Sequence, residues 1–418
     1  MVVCVALCVT GALLGVARAG AQEATAGPAV TGRLLHDGEP VVGVEVRVEL
    51  DGDEVGRGVT GPDGRFVIEL ASGGTYQVEL VASSLPTGVD LAPGAEARLE
   101  QVVVQGARPK TVVFRLGSPV RSASPGTAAR LAALAISGLR FGLVVALAAV
   151  GLTLVFGTTG IVNLAHGEFV TFGAIVAWYA NANGVPLVLA GVVACLAGAA
   201  LGWVLDRSLW RPLERRRTDA STVMVVTIGL SLFLRNAYLV VFKGASRSYH
   251  DYAVGTPWVI GGVRILPRTV AVILVAAAVL IALAWVLRRT SAGTAVRAVG
   301  SDPVLAAASG IDRRAVTTQV WMLAAALAGL GGVMLGATDA VQWDMGLRVL
   351  LLMVAAVVLG GLGSVPGALV GGVLVGWATE ISTYWLPADL VTAFALVVLI
   401  AVLLVKPTGL FGRAERIA

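Results

Sequence analysis

The chain has 418 residues, of which 57% are hydrophobic and only 14% charged, with a net charge of +5 at pH 7 and a mean hydropathy of +0.85. Soluble domains carry about a quarter charged residues, so this composition excludes a chain wholly wrapped in water and calls for a bilayer as the solvent of its apolar faces. The basic residues sit in short loops between apolar runs, not in a basic stripe interleaved with aromatics, which argues against nucleic acid as a partner and for a multi-pass membrane protein.

The first element is a leader. Residues 1–21 carry an apolar run, Val2 to Val16, followed by the small residues Ala17, Ala19 and Ala21, the pattern of a secretory signal peptide. No Lys or Arg precedes the run, which departs from that pattern. Residues 28–118 are polar and alternate: Val44, Val46 and Val48 with Glu45, Arg47 and Glu49; Phe66, Ile68 and Leu70 around Val67 and Glu69; Tyr76, Val78 and Leu80 around Gln77 and Glu79. A period of two predicts half-buried strands. Turn dipeptides separate them at Asp37-Gly38, Asp51-Gly52, Asp63-Gly64 and Gly73-Gly74, so a small antiparallel sandwich is expected. The run Gly43-Val44-Glu45-Val46, then Thr60-Gly61-Pro62-Asp63-Gly64-Arg65-Phe66, then Gly74-Thr75-Tyr76, resembles the carboxypeptidase-regulatory-like β-sandwich family, whose domains are usually non-catalytic modules. Residues 119–132, with Ser, Pro and Gly, are expected to be a linker.

From there on the chain is membrane-like, and the segment 133–412 is expected to be a transmembrane domain. Apolar runs at 136–156, 164–181, 185–205, 222–241, 269–287, 317–337, 347–363, 366–383 and 389–405 predict about nine helical spans, since a helix needs roughly 20 apolar residues to cross a bilayer. Glycine breaks make one or two of them re-entrant candidates, chiefly within 347–383. The expected fold class is therefore mainly α, a polytopic helical domain behind a small all-β domain. Arg207, Arg211, Arg215, Arg216 and Arg217 share one loop, Arg288, Arg289, Arg297, Arg313 and Arg314 another, and Lys406, Arg413 and Arg416 the tail. All three belong on the cytoplasmic side. An odd number of spans then leaves the β-domain outside the cell, where the leader would also deliver it, and 413–418 as a cytoplasmic tail. Lys243, Arg247, Arg264 and Arg268, in the loop 242–268, run against this charge pattern.

Three stretches are the most informative. The first is Gly151-Leu152-Thr153-Leu154-Val155-Phe156-Gly157 running into Ile161-Val162-Asn163-Leu164-Ala165-His166-Gly167-Glu168. The second is Val358-Leu359-Gly360-Gly361-Leu362-Gly363-Ser364-Val365-Pro366-Gly367-Ala368, and the third Lys406-Pro407-Thr408-Gly409-Leu410-Phe411-Gly412. In this order, over about 136–412, they resemble the permease subunits of the branched-chain amino acid ABC transporter family, which includes amide and urea permeases. Read from the residues, Asn163, His166 and Glu168 are polar groups at the start of an apolar span. They have two readings: a translocation pathway or gate, or an interfacial helix start in which Asn163 caps and Glu168 meets the positive end of the helix dipole. Gly360, Gly361, Gly363 and Gly367 with Pro366 likewise serve either close helix packing or a helix break.

The stretch 291–314 predicts a short helix capped by Asp302, opened by Pro303, continued by Ala306 and Ala307 and ended by Gly310 before Ile311. The bare reading is a surface helix. The family resemblance implies a coupling helix, with Arg297 and the residues Asp302 to Ile311 in contact with an ATPase; Leu305 stands where the family has an acidic residue. No phosphate-binding loop and no catalytic or metal-ligating constellation occurs, so no cofactor is expected, and ATP hydrolysis is left to partner subunits. The resemblance implies an importer for a small polar solute, branched-chain amino acids first and urea or short amides next. Its partners would be a second permease subunit or a second copy of this chain, cytoplasmic ATPases, an extracytoplasmic solute-binding protein and the lipid bilayer. The rival readings are an ATP-independent channel or secondary transporter, and a sensor whose β-domain binds the ligand.

Overall fold

The computed structural model describes residues 28–412 except 37–38, 51, 73, 93–95, 105–109, 113, 115, 117–126, 217, 243, 250–257, 261–262, 388–389 and 407. The expected leader 1–21, the first part of the expected linker and the tail 413–418 lie outside those residues. The described chain forms two units, one all-β and one helical.

The β unit contains β1 (Ala29–Arg33), the short pair β2 (Leu35–His36) and β3 (Glu39–Pro40), β4 (Glu45–Leu50), β5 (Asp53–Val59), β6 (Arg65–Glu69), β7 (Gly74–Leu80), β8 (Arg98–Val104) and β9 (Lys110–Val112). A four-stranded sheet in the order β5-β4-β7-β8 and a three-stranded sheet in the order β6-β1-β9 share one core. The alternating residues fill it: Val44, Val46, Val48, Phe66, Ile68, Leu70, Tyr76, Val78 and Leu80 are all buried. Their partners at odd spacing face out, because side chains alternate across a strand. Ile68 lies so close to β5 that a Cβ at Gly56 or Gly58 would stand 2.6 or 2.7 Å from it. One feature departs from the expected antiparallel sandwich. The β1–β9 pair is parallel, which requires the chain to cross over instead of returning through a hairpin.

The helical unit comprises α1 (Thr127–Thr159), α2 (His166–Ala182), α3 (Leu187–Leu205), α4 (Ala220–Phe242), the hairpin strands β10 (Trp258–Ile260) and β11 (Val263–Ile265), α5 (Pro267–Arg289), α6 (Ser291–Ser301), α7 (Pro303–Ala308), α8 (Arg313–Asp339), α9 (Met345–Gly360), α10 (Val365–Ser382) and α11 (Val391–Val405). A π-helical turn, Asp206–Trp210, continues α3 into a last turn at Arg211–Arg215. Each apolar run read from the sequence is helical. Among the described residues six helices, α1, α3, α4, α5, α8 and α10, are long and apolar enough to cross a membrane. The others are shorter. α2 has 17 residues, α9 has 16 and α11 has 15. α1 begins at Thr127, inside the stretch expected to be a linker.

α1 and α8 form the centre, each with 78% of its apolar window buried, whereas α4 and α5 bury only 28% and 22%. A helix apolar all round belongs inside a bundle. Small residues let these helices approach: Gly173 of α2 meets Gly329 of α8, Gly202 of α3 meets the Trp321 carbonyl, and Gly372 of α10 meets Ala146 of α1. Such contacts drive association where lipid removes the hydrophobic contrast. Two half-buried charges find each other in this packing, with Arg140 of α1 3.9 Å from Glu380 of α10.

Candidate functional site

The site is built where α1 ends and α2 begins. After Thr159 the chain turns at Gly160 and runs through residues 161–165 before α2 starts at His166. His166 Nε2 lies 3.0 Å from the Ala148 carbonyl oxygen, well inside α1. A carbonyl only accepts, so Nε2 carries the proton of this contact. The start of α2 is therefore level with the interior of α1 and not with its end. Asn163, His166 and Glu168 are 0%, 0% and 1% exposed, and Glu168 lies in the first turn of α2, near the positive end of its dipole. Asn163 does not cap α2, whose N-cap residue is Ala165. Its Oδ1 accepts from the Ala165 backbone N–H at 3.0 Å and closes the turn before the helix.

Each of the three keeps one buried polar atom without a hydrogen-bond partner among the described residues: Asn163 Nδ2, His166 Nδ1 and Glu168 Oε2. Buried polar groups are ordinarily satisfied, so three such atoms within six residues of chain set this turn apart from its apolar surroundings. The neighbours hold Glu168 from two sides. Ser231 of α4 donates to Glu168 Oε1 at 3.0 Å, and the Tyr238 hydroxyl donates to the Glu168 carbonyl at 3.2 Å. Gly346, at the start of α9, packs on Gly167 and donates from its N–H to Thr171 Oγ1 at 3.0 Å. The charges of Arg235 on α4 and Asp344 before α9 both act on Glu168. Arg235 Nε and Asp344 Oδ1 also lack partners among the described residues, while Asp344 Oδ2 accepts from Arg348. Ser231, Arg235, Tyr238 and Asp344 are the contributions that sequence spacing did not bring to this site. Arg235 and Asp344 are charged residues in or beside apolar runs, but nothing local ties them to Glu168.

The second stretch forms the turn between α9 and α10. Gly360 and Gly367 press against each other's backbones, so a side chain on either would collide. Gly361 and Gly363 adopt φ of +103° and +78°, open to glycine and strained for other residues. Ser364 caps α10 by accepting from the Gly367 N–H at 3.1 Å, with Pro366 in the first turn. Packing and helix break are thus divided between neighbouring glycines. The third stretch covers the end of α9: Leu410 and Phe411 donate their N–H groups to the Leu359 and Gly360 carbonyls at 2.8 and 2.9 Å. These are helix-end acceptors that would otherwise lack partners. The first stretch reaches the same place, since the Gly363 N–H donates to Thr153 Oγ1 at 3.0 Å.

The segment 291–311 adjoins it. α6 approaches the end of α1 so closely that a Cβ at Gly300 would lie 2.8 Å from the Gly157 carbonyl oxygen. Asp302 Oδ1 accepts from the Val304 and Leu305 N–H groups, each at 2.9 Å, and caps α7. Gly310, at φ +83°, follows its end. Ala306 is buried with Val299 and Val316, so it anchors the helix. Val304 and Leu305, 78% and 64% exposed, and exposed Ala307 form an uncovered apolar face. Arg297 turns back onto its own chain, donating to the Leu287 carbonyl and to Thr294 Oγ1, which fits a role in holding α6 against α5.

The family model described as branched-chain amino acid transport system / permease component matches residues 134–404. The chain is 32% identical over 294 residues to the Escherichia coli (strain K12) protein named high-affinity branched-chain amino acid transport system permease protein LivH, covering 67% of this chain and 94% of that one. It is 31% identical to the LivH of Salmonella typhimurium, with the same coverage. It is 30% identical over 295 residues to the Pseudomonas aeruginosa protein named high-affinity branched-chain amino acid transport system permease protein BraD, covering 67% of this chain and 95% of that one. No solved structure matches the chain.

Proposed function

The chain belongs to the branched-chain amino acid transport system permease family, and from that premise we propose that it is the membrane subunit of an ABC importer in which α7 receives the ATPase and the Asn163–Glu168 region lines the pathway. It is a multi-pass membrane permease, as its six long apolar helices also require. The solute class we favour is the branched-chain amino acids, with urea and short amides as the next to test. The single observation that carries the pathway assignment is the start of α2: three fully buried polar residues, each with an unpartnered atom, level with the interior of α1. Helix ends inside a membrane are favoured places for solute sites, because their backbone groups and dipoles remain available. A solute with both ammonium and carboxylate groups would use the donors and acceptors that the protein leaves open.

For coupling, the supporting feature is the apolar face of α7, presented by Val304, Leu305 and Ala307 beside the end of α1. A docked ATPase would cover it, and closure of two ATPases on ATP would move α6–α7 against α1 and the polar loop beyond it. The motion requires the nucleotide-bound ATPases to bind the two permease states unequally. In this reading the arginine-rich loops and the tail face the cytoplasm, a second permease subunit or a second copy completes the pathway, and a solute-binding protein delivers from outside. The β unit, resembling the carboxypeptidase-regulatory-like modules, is then an extracytoplasmic spacer or docking module behind the expected leader.

The test is to purify the chain from its native cells in mild detergent, identify what accompanies it by mass spectrometry, and measure labelled leucine uptake in the same cells. ATPase subunits and a second permease should be recovered, and uptake should cease on ATP depletion. Recovery of the chain alone, with uptake that follows an ion gradient, would replace this reading with a secondary transporter. Uptake of urea in place of leucine would move the solute class and leave the importer intact.

A further inference from the structure

Where α3 passes through its π-helical turn, a groove opens against the first turns of α8. Its charged end is a concavity of about 510 Å³ lined by Arg211, Glu214, Arg215, Arg313 and Arg314. Its other end, about 490 Å³, shares Arg211 and Arg314 with the first and has Trp203, Ala315 and Met322 as its apolar wall, with Arg207, Asp312, Thr318 and Gln319 at its polar edge. The charged end is partly prearranged. Arg211 Nε donates to the buried Asp206 at 2.9 Å and its Nη2 to Thr318 Oγ1 at 2.6 Å. Arg313 pairs with Glu214 at 3.0 Å. Arg215 and Arg314 make no ion pair among the described residues, so positive charge is left over in the groove.

The apolar end continues outward. Val192, Leu196 and Trp203 are 52%, 66% and 41% exposed on α3, and helical spacing places them on one side of it. The Arg207 guanidinium lies over the Trp203 ring, 4.7 Å from its centre. Tryptophan at the end of an apolar helix face, followed by arginines, is the arrangement of a membrane–water boundary. The groove therefore joins a lipid-facing stripe to a cationic pocket.

We propose that this groove binds an anionic phospholipid, its phosphate among Arg211, Arg215 and Arg314 and its acyl chain along the α3–α8 seam beside Trp203. Guanidinium groups hold phosphate oxygens through paired, charge-assisted hydrogen bonds, and basic groups at a membrane surface attract anionic lipids. Free phosphate has the same headgroup chemistry but leaves the apolar end unused, and an acidic protein segment has no use for the continuation into the lipid-facing stripe. The bound lipid would tie the cytoplasmic end of α3 to that of α8, which leads out of the α7 loop.

The experiment uses the full chain in detergent, titrated with phosphatidylglycerol or with phosphatidylcholine of identical acyl chains and read by native mass spectrometry. Phosphatidylglycerol should be retained at least tenfold better. The pair Arg215→Gln and Arg314→Gln should weaken that retention roughly 25-fold, about fivefold for each charge, and Arg215→Gln alone about fivefold. Arg215→Lys with Arg314→Lys should restore most of it. Trp203→Ala should weaken lipid retention and leave any phosphate binding untouched. Equal retention of the two lipids, or retention unchanged in Arg215→Gln, overturns the proposal. Displacement of the lipid by millimolar inorganic phosphate assigns the pocket to a free anion instead. Loss of ATPase subunits from the arginine variants, with lipid retention intact, makes the groove a protein-docking surface and overturns the proposal equally.

Discussion

Glu168 is held by Ser231 and Tyr238, and its two oxygens separate two roles. Oε1 is fixed by Ser231, while Oε2 has no partner among the described residues. Ser231→Ala removes a donor and leaves a buried acceptor unmet, which costs about 1–3 kcal/mol; we expect a lower melting temperature in detergent with uptake partly preserved. Glu168→Gln keeps the volume and an oxygen for Ser231 while removing the charge. It should insert and melt nearly as the parent does, yet slow uptake by at least tenfold. Parental uptake in that variant would remove Glu168 from the pathway. His166 and Asn163 show why the sequence reading was incomplete. Polar residues at a helix start look alike whether water or packed helix surrounds them, and only the depth of α2 against Ala148 tells them apart.

At the scale of elements, α7 and the α9–α10 turn make opposite demands. α7 has six residues and is fixed by a cap at one end and Ala306 beneath it. Its outward face is free to accept substitutions without unfolding the unit. Ala307→Glu should therefore leave membrane insertion intact and abolish ATP-driven uptake; normal uptake in that variant would sink the coupling assignment. The α9–α10 turn has no such freedom. Gly360→Val or Gly367→Val forces a side chain into the facing backbone, and overpacking of this kind costs about 1–3 kcal/mol or more. Low yield and a lowered melting temperature are expected, in contrast to the α7 variants. Both elements were visible in the sequence as caps and glycines, because those signals are local. That Ala306 anchors while Val304 and Leu305 are exposed was not visible, since a single turn of Ala, Val and Leu has no polar residue to mark its outer face.

At the scale of the molecule, the two units have separate cores, so deleting 28–116 should leave the helical unit able to insert and to transport at a reduced or unchanged rate. Complete loss of insertion would show that the β unit is needed for membrane assembly. The orientation is tested by labelling. With the native cysteines replaced, Glu39→Cys should react with an impermeant maleimide in intact cells and Ser309→Cys only after permeabilisation. The reverse pattern would invert the topology. Alternation in the first hundred residues, long apolar runs beyond them and arginines between the runs were enough to give two architectures, their order and the helices themselves, because strand and helix periods and the cost of apolar surface in water are properties of local sequence. The parallel β1–β9 pair, the depth at which α2 begins, the meeting of Glu168 with Ser231 and Tyr238, and the arginine groove between α3 and α8 all join residues far apart in the chain. Those pairings depend on which helices and strands lie side by side, and a periodicity records which face of an element is buried but not what buries it.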